Sequence, residues 1–112
     1  MPPTDSDRLN DILESIDEID AMLAGLNLDQ FTKDKMRRMA TERYLEVVCE
    51  ASRKLSDKLK RANPHIDWRK MIDFGNRLRH AYRTMNIAIV WGIVENQLPL
   101  LKKLARQELG KS

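Results

Sequence analysis

Apolar side chains at helical spacing are the feature that most restricts the fold of this chain. Between Asp5 and Leu26 they recur at steps of three and four, which places them on one stripe of an α-helix. The stripe consists of Leu9, Ile12, Leu13, Ile16, Ile19, Met22, Leu23 and Leu26. Acidic residues occupy the other faces, and Gly25 and Asn27 are typical of a helix end. We therefore predict a first helix over residues 5–26.

The same spacing continues through most of the chain. It predicts a second helix from about residue 29 or 32 to residue 62, which would be about 45 Å long at 1.5 Å per residue. A third apolar series lies between residues 68 and 85, and a fourth occupies residues 87–109.

Helix-ending and helix-starting residues separate these segments. Asn63 precedes Pro64, and the residue before a proline is disfavoured in the helical conformation. Asp67 can cap the third helix by accepting from a backbone N–H two or three residues on. Asn86 either caps or interrupts a helix, and Pro99 is expected to split or kink the last segment.

The composition agrees with a helical protein. Only four glycines and four prolines occur among 112 residues, and 33% of the residues are charged. This favours helices over sheets or disorder. The length predicts one domain over residues 1–112, with a flexible tail at residues 1–4. The expected architecture is all-α, an up-and-down bundle of four to five helices.

The charges are unevenly distributed. Residues 1–29 hold eight acidic and one basic residue, whereas residues 30–112 hold nine acidic and nineteen basic ones. Such asymmetry indicates either an anionic partner for the later part or pairing between an acidic and a basic helix. Solvated charged faces are the third possibility.

Cys49 is the only cysteine. A lone thiol in a helical pattern fits a small core residue better than a nucleophile, and it agrees with a reducing compartment. The chain has no run of about 18 apolar residues and no signal-like segment. We therefore expect a cytoplasmic protein that does not insert into membranes.

The stretch GNRLRHAYRTMN, residues 75–86, is the densest polar run in the chain. On a helix, one face would carry Arg69, Asp73, Asn76, Arg77, His80 and Arg83. Arg79 would point about 100° away from His80, and Tyr82 would lie about 200° round from it.

This polar face has two interpretations. Arginine binds phosphate in a bidentate manner, histidine exchanges a proton near neutral pH, and asparagine can orient a neighbour. Together they could bind RNA and assist attack of a 2′-hydroxyl on the adjacent phosphate without a metal. Alternatively, the face is only solvated and His80 merely forms hydrogen bonds.

Other chemistry is not indicated. His65 and His80 are the only histidines, and Cys49 is remote in sequence, so a zinc site is not expected. No glycine-rich phosphate loop is present. We predict neither a metal nor a cofactor.

Four segments between residues 41 and 101 resemble the HepT-like branch of the HEPN superfamily. They are TERYLEVVCEASRKLS, NPHIDWRKM, GNRLRHAY and VWGIVENQLPLL, in the order and spacing of that family. The resemblance implies an all-α bundle that forms a homodimer. It also implies a toxin of a toxin–antitoxin pair, commonly a metal-independent RNA endonuclease. The implied partner is an MntA-like nucleotidyltransferase antitoxin.

The motif of this family is Arg, Asn, three residues, His, one residue and Tyr. Asn76, His80 and Tyr82 match it, and the resemblance makes Tyr82 the residue to which the antitoxin adds AMP. The Arg position of the motif is occupied by Gly75. The missing guanidinium could come from Arg77, from Arg79 or from a second subunit.

The resemblance leads to two hypotheses. In the first, the chain is a toxin endoribonuclease in which His80, Arg77 and Asn76 form the catalytic set and Tyr82 is AMPylated. The further residues expected to bind RNA phosphates are Arg69, Arg79 and Arg83. In the second, motivated by Gly75, the chain is an inactive dimeric module that binds a nucleotidyltransferase or RNA without cutting it.

Overall fold

The computed structural model of the protein describes residues 2–80 and 85–111. These two ranges contain no strand and seven helices: α1 (Asp5–Leu23), α2 (Leu28–Lys33), α3 (Lys35–Lys54), α4 (Asp57–Ala62), α5 (Trp68–His80), α6 (Ile87–Asn96) and α7 (Leu98–Leu109). The helices α2 and α4 have only six residues each. The predicted all-α bundle is confirmed, with five longer helices and two short ones.

The core lies where α1, α3, α5 and α7 meet. Helix α1 packs against α3 and α7, and α3 also packs against α5. The predicted stripe of α1 faces this core, because its members Leu9, Ile12, Ile16, Ile19 and Leu23 are buried. Burial of this stripe, and not helix propensity, supplies most of the stability of such a helix.

The prediction of one long second helix is wrong. The structure divides residues 28–62 into α2, α3 and α4. The first break falls at Asp34, whose carboxylate accepts from the backbone N–H of Arg37 at 3.0 Å and so caps α3. The Arg37 side chain also donates to the carbonyl of Met22 at 3.0 Å, which holds the break against the end of α1.

The second break falls at Ser56. Its hydroxyl accepts from the backbone N–H of Leu59 at 3.2 Å and caps α4. Its own N–H donates to Asp5 at 2.9 Å, and its hydroxyl donates to the same carboxylate at 2.6 Å. Because Asp5 belongs to α1, a contact between distant parts of the chain replaces the hydrogen bonds that a continuous helix would make.

The end of α1 also differs from the prediction. The helix ends at Leu23 and not at Leu26. Gly25 follows with a φ of +79°, a left-handed conformation that glycine adopts without strain. Asn27 does not end α1. It caps α2 by accepting from the backbone N–H of Gln30 at 2.9 Å.

Four of the remaining predicted boundaries are confirmed, whereas the end of the third helix lies outside the described residues. Helix α4 ends at Ala62, just before the Asn63–Pro64 pair. Asp67 accepts from the backbone N–H of Lys70 at 3.0 Å at the start of α5. Asn86 caps α6 by accepting from the backbone N–H of Ala88 at 2.9 Å. Pro99 separates α6 from α7, where it stands in the first turn.

Pairing between the acidic first helix and the basic last helix accounts for part of the charge asymmetry. The ammonium group of Lys102 on α7 lies 3.1 Å from a carboxylate oxygen of Asp17 and 2.7 Å from one of Asp20. Both acids belong to α1, so the three charges join two helices that also share the apolar core.

None of the helices in residues 2–80 and 85–111 is both long enough and apolar enough to cross a bilayer.

Candidate functional site

Helix α5 presents one apolar and one polar face, as the spacing predicts. Met71, Phe74 and Gly75 are buried. Asn76, Arg77, Arg79 and His80 are exposed. The apolar face is held against α3, and this contact fixes the direction of the polar residues.

Gly75 of α5 packs directly against Cys49 of α3. A Cβ placed on it would be 2.7 Å from the Cβ of Cys49, closer than two such atoms can pack. Any larger residue at this position must therefore push the two helices apart. The absence of an arginine at this position of the motif thus has a physical reason, since its side chain would start inside the helix interface.

Cys49 is buried at this interface. Its burial raises the pKa of the thiol to about 12, so the thiolate does not form near neutral pH. The expectation that Cys49 is a core residue is confirmed by its exposed fraction of 3%.

Arg79 connects α5 to α3. Its guanidinium donates to a carboxylate oxygen of Glu50 at 2.9 Å and also to the side-chain carbonyl oxygen of Asn76. Two predicted site residues, Asn76 and Arg79, therefore contact each other, and Glu50 joins them from the neighbouring helix.

Glu50 forms ion pairs with three basic side chains. Besides Arg79, it pairs with Arg53 at 2.7 Å and with Lys54 at 3.3 Å. The hydrogen bond from Arg53 and, after it, the one from Lys54 lower the pKa of Glu50 to about 2. Glu50 is thus ionised at any pH at which the protein is expected to work.

Arg77 and Arg79 lie on different sides of α5. Arg77 and Arg69 line a groove of about 580 Å³ between α5 and α6, whose apolar part includes Phe74 and Ile93. Arg79 lies instead, with Gly75, in a cleft of about 390 Å³ that α1 and α3 also line. The Arg69 side chain is 93% exposed, and its Nε lies 4.0 Å from a carboxylate oxygen of Asp73. The ion pair between them is therefore loose.

His80 is exposed and lies in the last turn that the structure describes for α5. With Asn76 four positions and Arg77 three positions before it, this face of α5 presents an amide, a guanidinium and an imidazole to solvent. Tyr82 and Arg83, which complete the predicted set, lie outside the described residues.

Glu50 is the site residue that the sequence analysis missed. Glu50 precedes Arg53 by three residues and Lys54 by four, and this spacing predicts ion pairs on one helix. Its contact with Arg79 spans 29 residues of sequence and depends on how α3 and α5 cross. No local pattern indicates that partner.

Comparison with known proteins adds a family to this geometry. Residues 12–108 match the family model described as "Ribonuclease HepT-like". A Thermococcus cleftensis protein named "Probable ribonuclease HepT" is 33% identical over 102 residues, which cover 91% of this chain and 93% of that protein. No solved structure matches the chain.

Two proteins of Methanocaldococcus jannaschii show similar identity. "Putative RNase MJ1380" is 33% identical over 95 residues, which cover 85% of this chain and 87% of that protein. "Putative RNase MJ0127" is 35% identical over 91 residues, which cover 81% of this chain and 75% of that protein.

Proposed function

Because the chain belongs to the HepT-like ribonuclease family, we propose that it is a metal-independent endoribonuclease. The observation that carries this proposal is the exposed polar face of α5, which presents Asn76, Arg77 and His80 to the solvent. These side chains can hold a phosphodiester and move a proton, which are the two tasks that RNA cleavage without a metal requires.

The proposed reaction is an internal transfer at phosphorus. The 2′-oxygen of the ribose attacks the adjacent phosphorus, its proton is taken up by a base, and the bond to the 5′-oxygen breaks. The products are a 2′,3′-cyclic phosphate and a free 5′-hydroxyl that has received a proton. His80 serves one of the two proton transfers, because imidazole exchanges protons near neutral pH.

Arg77 is the guanidinium that we propose for the phosphate. Arg79 already donates to Glu50 and Asn76, whereas Arg77 is exposed beside the groove between α5 and α6. A bidentate contact from Arg77 would stabilise the negative charge that develops on the phosphate oxygens. Arg69 and Arg83 would bind neighbouring phosphates of the RNA.

The proposal is tested by RNA cleavage in the presence of EDTA. His80→Ala should lower the cleavage rate by about 100-fold or more, as expected for loss of a general acid or base. His65→Ala is the matched control, because His65 is also exposed but lies between α4 and α5. Equal activity of His80→Ala and the wild type would refute the assignment.

A second substrate separates this mechanism from other hydrolytic routes. An oligonucleotide with a single 2′-deoxyribose at the cleavage position lacks the attacking oxygen and should be resistant at that position only. Cleavage there at the rate of the all-ribose substrate would show that the 2′-hydroxyl does not attack.

We further propose that the protein is a homodimeric, cytoplasmic toxin whose antitoxin is a nucleotidyltransferase that AMPylates Tyr82. Family membership supports this, and an AMP group beside the arginines of α5 would add negative charge and repel RNA. Mass spectrometry after incubation with the antitoxin and ATP should show one AMP on the peptide containing Tyr82. Tyr82→Phe is the control that should show none.

The competing proposal is an inactive dimeric module that binds the nucleotidyltransferase or RNA. The observation that favours it is the contact between Gly75 and Cys49, which excludes the arginine of the family motif. RNA that binds to the wild type but is not cut in EDTA, with no change in Arg77→Ala, would select this function over the enzyme.

A further inference from the structure

Three side chains from two helices form a continuous chain of contacts beside the proposed catalytic set. The carboxylate of Glu50 on α3 accepts from Arg79 at 2.9 Å, and Arg79 donates in turn to the side-chain oxygen of Asn76. We infer that Glu50 is a positioning residue that acts through Arg79 to aim the amide nitrogen of Asn76 at a phosphate of bound RNA. This inference rests on the proposed function.

The direction of the amide group follows from its partner. A carboxamide has one accepting oxygen and one NH₂ group that only donates. Since Arg79 occupies the oxygen of Asn76, the NH₂ group points away from Arg79. Asn76 is exposed, so this donor is available to an anion on the polar face of α5. A phosphodiester oxygen accepts such a hydrogen bond, whereas a cation would be repelled.

Glu50 is suited to hold Arg79 because it is itself fixed. Arg53 and Lys54 pair with it from its own helix, and the side chain of Glu50 is only 35% exposed. The ion pair therefore restricts the positions that the Arg79 guanidinium can adopt, compared with a lone exposed arginine. Arg79, which the sequence analysis assigned to phosphate, becomes a second positioning residue.

The experiment compares steady-state RNA cleavage by Glu50→Gln, Arg79→Met and the double variant. Each single change should lower kcat by about 10-fold to 100-fold, the usual cost of a misplaced catalytic group, and leave KM nearly unchanged. The double variant should be no slower than the slower single variant, because both changes break the same chain of contacts.

Glu46→Gln is the matched control. Glu46 lies one turn earlier on α3 and pairs with Arg43 at 2.9 Å, not with Arg79. Glu46→Gln removes one carboxylate charge from α3, as Glu50→Gln does. A general electrostatic or folding effect of removing a glutamate would therefore appear in this variant as well. We expect its kcat to equal that of the wild type, with all variants assayed below their unfolding temperatures.

NMR spectroscopy tests the inference without relying on catalysis. The side-chain amide resonances of Asn76 in ¹⁵N NMR spectra should shift in Glu50→Gln and not in Glu46→Gln. If the wild type cuts no RNA, the proposed function fails, and the same spectra still decide whether Glu50 orients Asn76. Equal spectra or equal kcat values for Glu50→Gln and Glu46→Gln would overturn the inference, as would multiplicative losses in the double variant.

Discussion

Gly75 on α5 and Cys49 on α3 are in direct backbone-to-side-chain contact, so close that a Cβ at position 75 would lie 2.7 Å from that of Cys49. This contact sets the distance between the two helices that carry the proposed site. Helix α3 supplies Glu50, and α5 supplies Asn76, Arg77, Arg79 and His80.

Gly75→Ala should therefore destabilise the protein. The added methyl group cannot be placed without moving α5 from α3, which should lower the free energy of unfolding by about 1–3 kcal/mol. Gly92→Ala is the control, because Gly92 is also helical and a Cβ there meets nothing within 4 Å. It should raise the free energy of unfolding by about 0.5–1 kcal/mol. Urea unfolding measures both, and equal effects of the two changes would contradict the packing argument.

Gly75→Arg should not improve RNA cleavage, although it restores the arginine of the family motif. The larger side chain must separate α5 from α3, which would also break the ion pair between Glu50 and Arg79. We expect a lower unfolding temperature than for Gly75→Ala and a lower cleavage rate than for the wild type. A folded variant with raised activity would show that the interface can open without loss.

The Cys49 thiol should resist alkylation in the native protein. Burial raises its pKa to about 12, so thiolate is scarce even at mildly alkaline pH. Iodoacetamide should label Cys49 slowly in buffer and completely in concentrated urea, as mass spectrometry can follow. Labelling at the same rate in both solutions would mean that the interface between α3 and α5 opens readily.

The contribution of Glu50 to stability should depend on pH in the acid range only. Its folded pKa of about 2 lies below the ordinary value of 4.5, so between these values the unfolded chain binds a proton that the folded chain does not. The stabilisation is complete above the ordinary pKa and is lost as the pH falls toward the folded pKa. The difference in unfolding free energy between the wild type and Glu50→Gln should be constant at neutral pH and shrink in acid. A difference that grew on acidification would have the wrong sign.

Lys102→Met should weaken the contact between α1 and α7. The ammonium group pairs with Asp17 and Asp20, whose side chains are about half exposed, so the loss should be no more than about 1 kcal/mol. Lys103→Met tests an exposed lysine of the same helix and should change stability by less than about 0.5 kcal/mol. Raising the salt concentration from about 0.1 M to about 1 M should reduce the effect of Lys102→Met, because salt screens exposed pairs.

Local patterns were sufficient to predict much of the fold. The apolar stripe of α1, the caps at Asp67 and Asn86 and the break at Pro99 each depend on residues within a few positions of one another. Such interactions are determined by sequence spacing alone. For the same reason, periodicity could place Asn76, Arg77 and His80 on the exposed side of α5.

The missed features depend on contacts between distant residues. The break at Ser56 needs the carboxylate of Asp5, and the ion pair of Glu50 needs Arg79 from another helix. The role of Gly75 likewise depends on the separation of two helices, which no spacing rule gives. The sequence could mark Gly75 as a departure from a motif, but only packing explains why glycine is there.

The contact between Asp5 and Ser56 has a practical consequence for handling the protein. It connects residues 51 positions apart, so the first turn of α1 holds the turn between α3 and α4 in place. Trimming the chain through Asp5, or fusing a bulky tag directly before it, would release that turn. Amide hydrogen exchange in α4 would then speed up, far along the chain from the altered end.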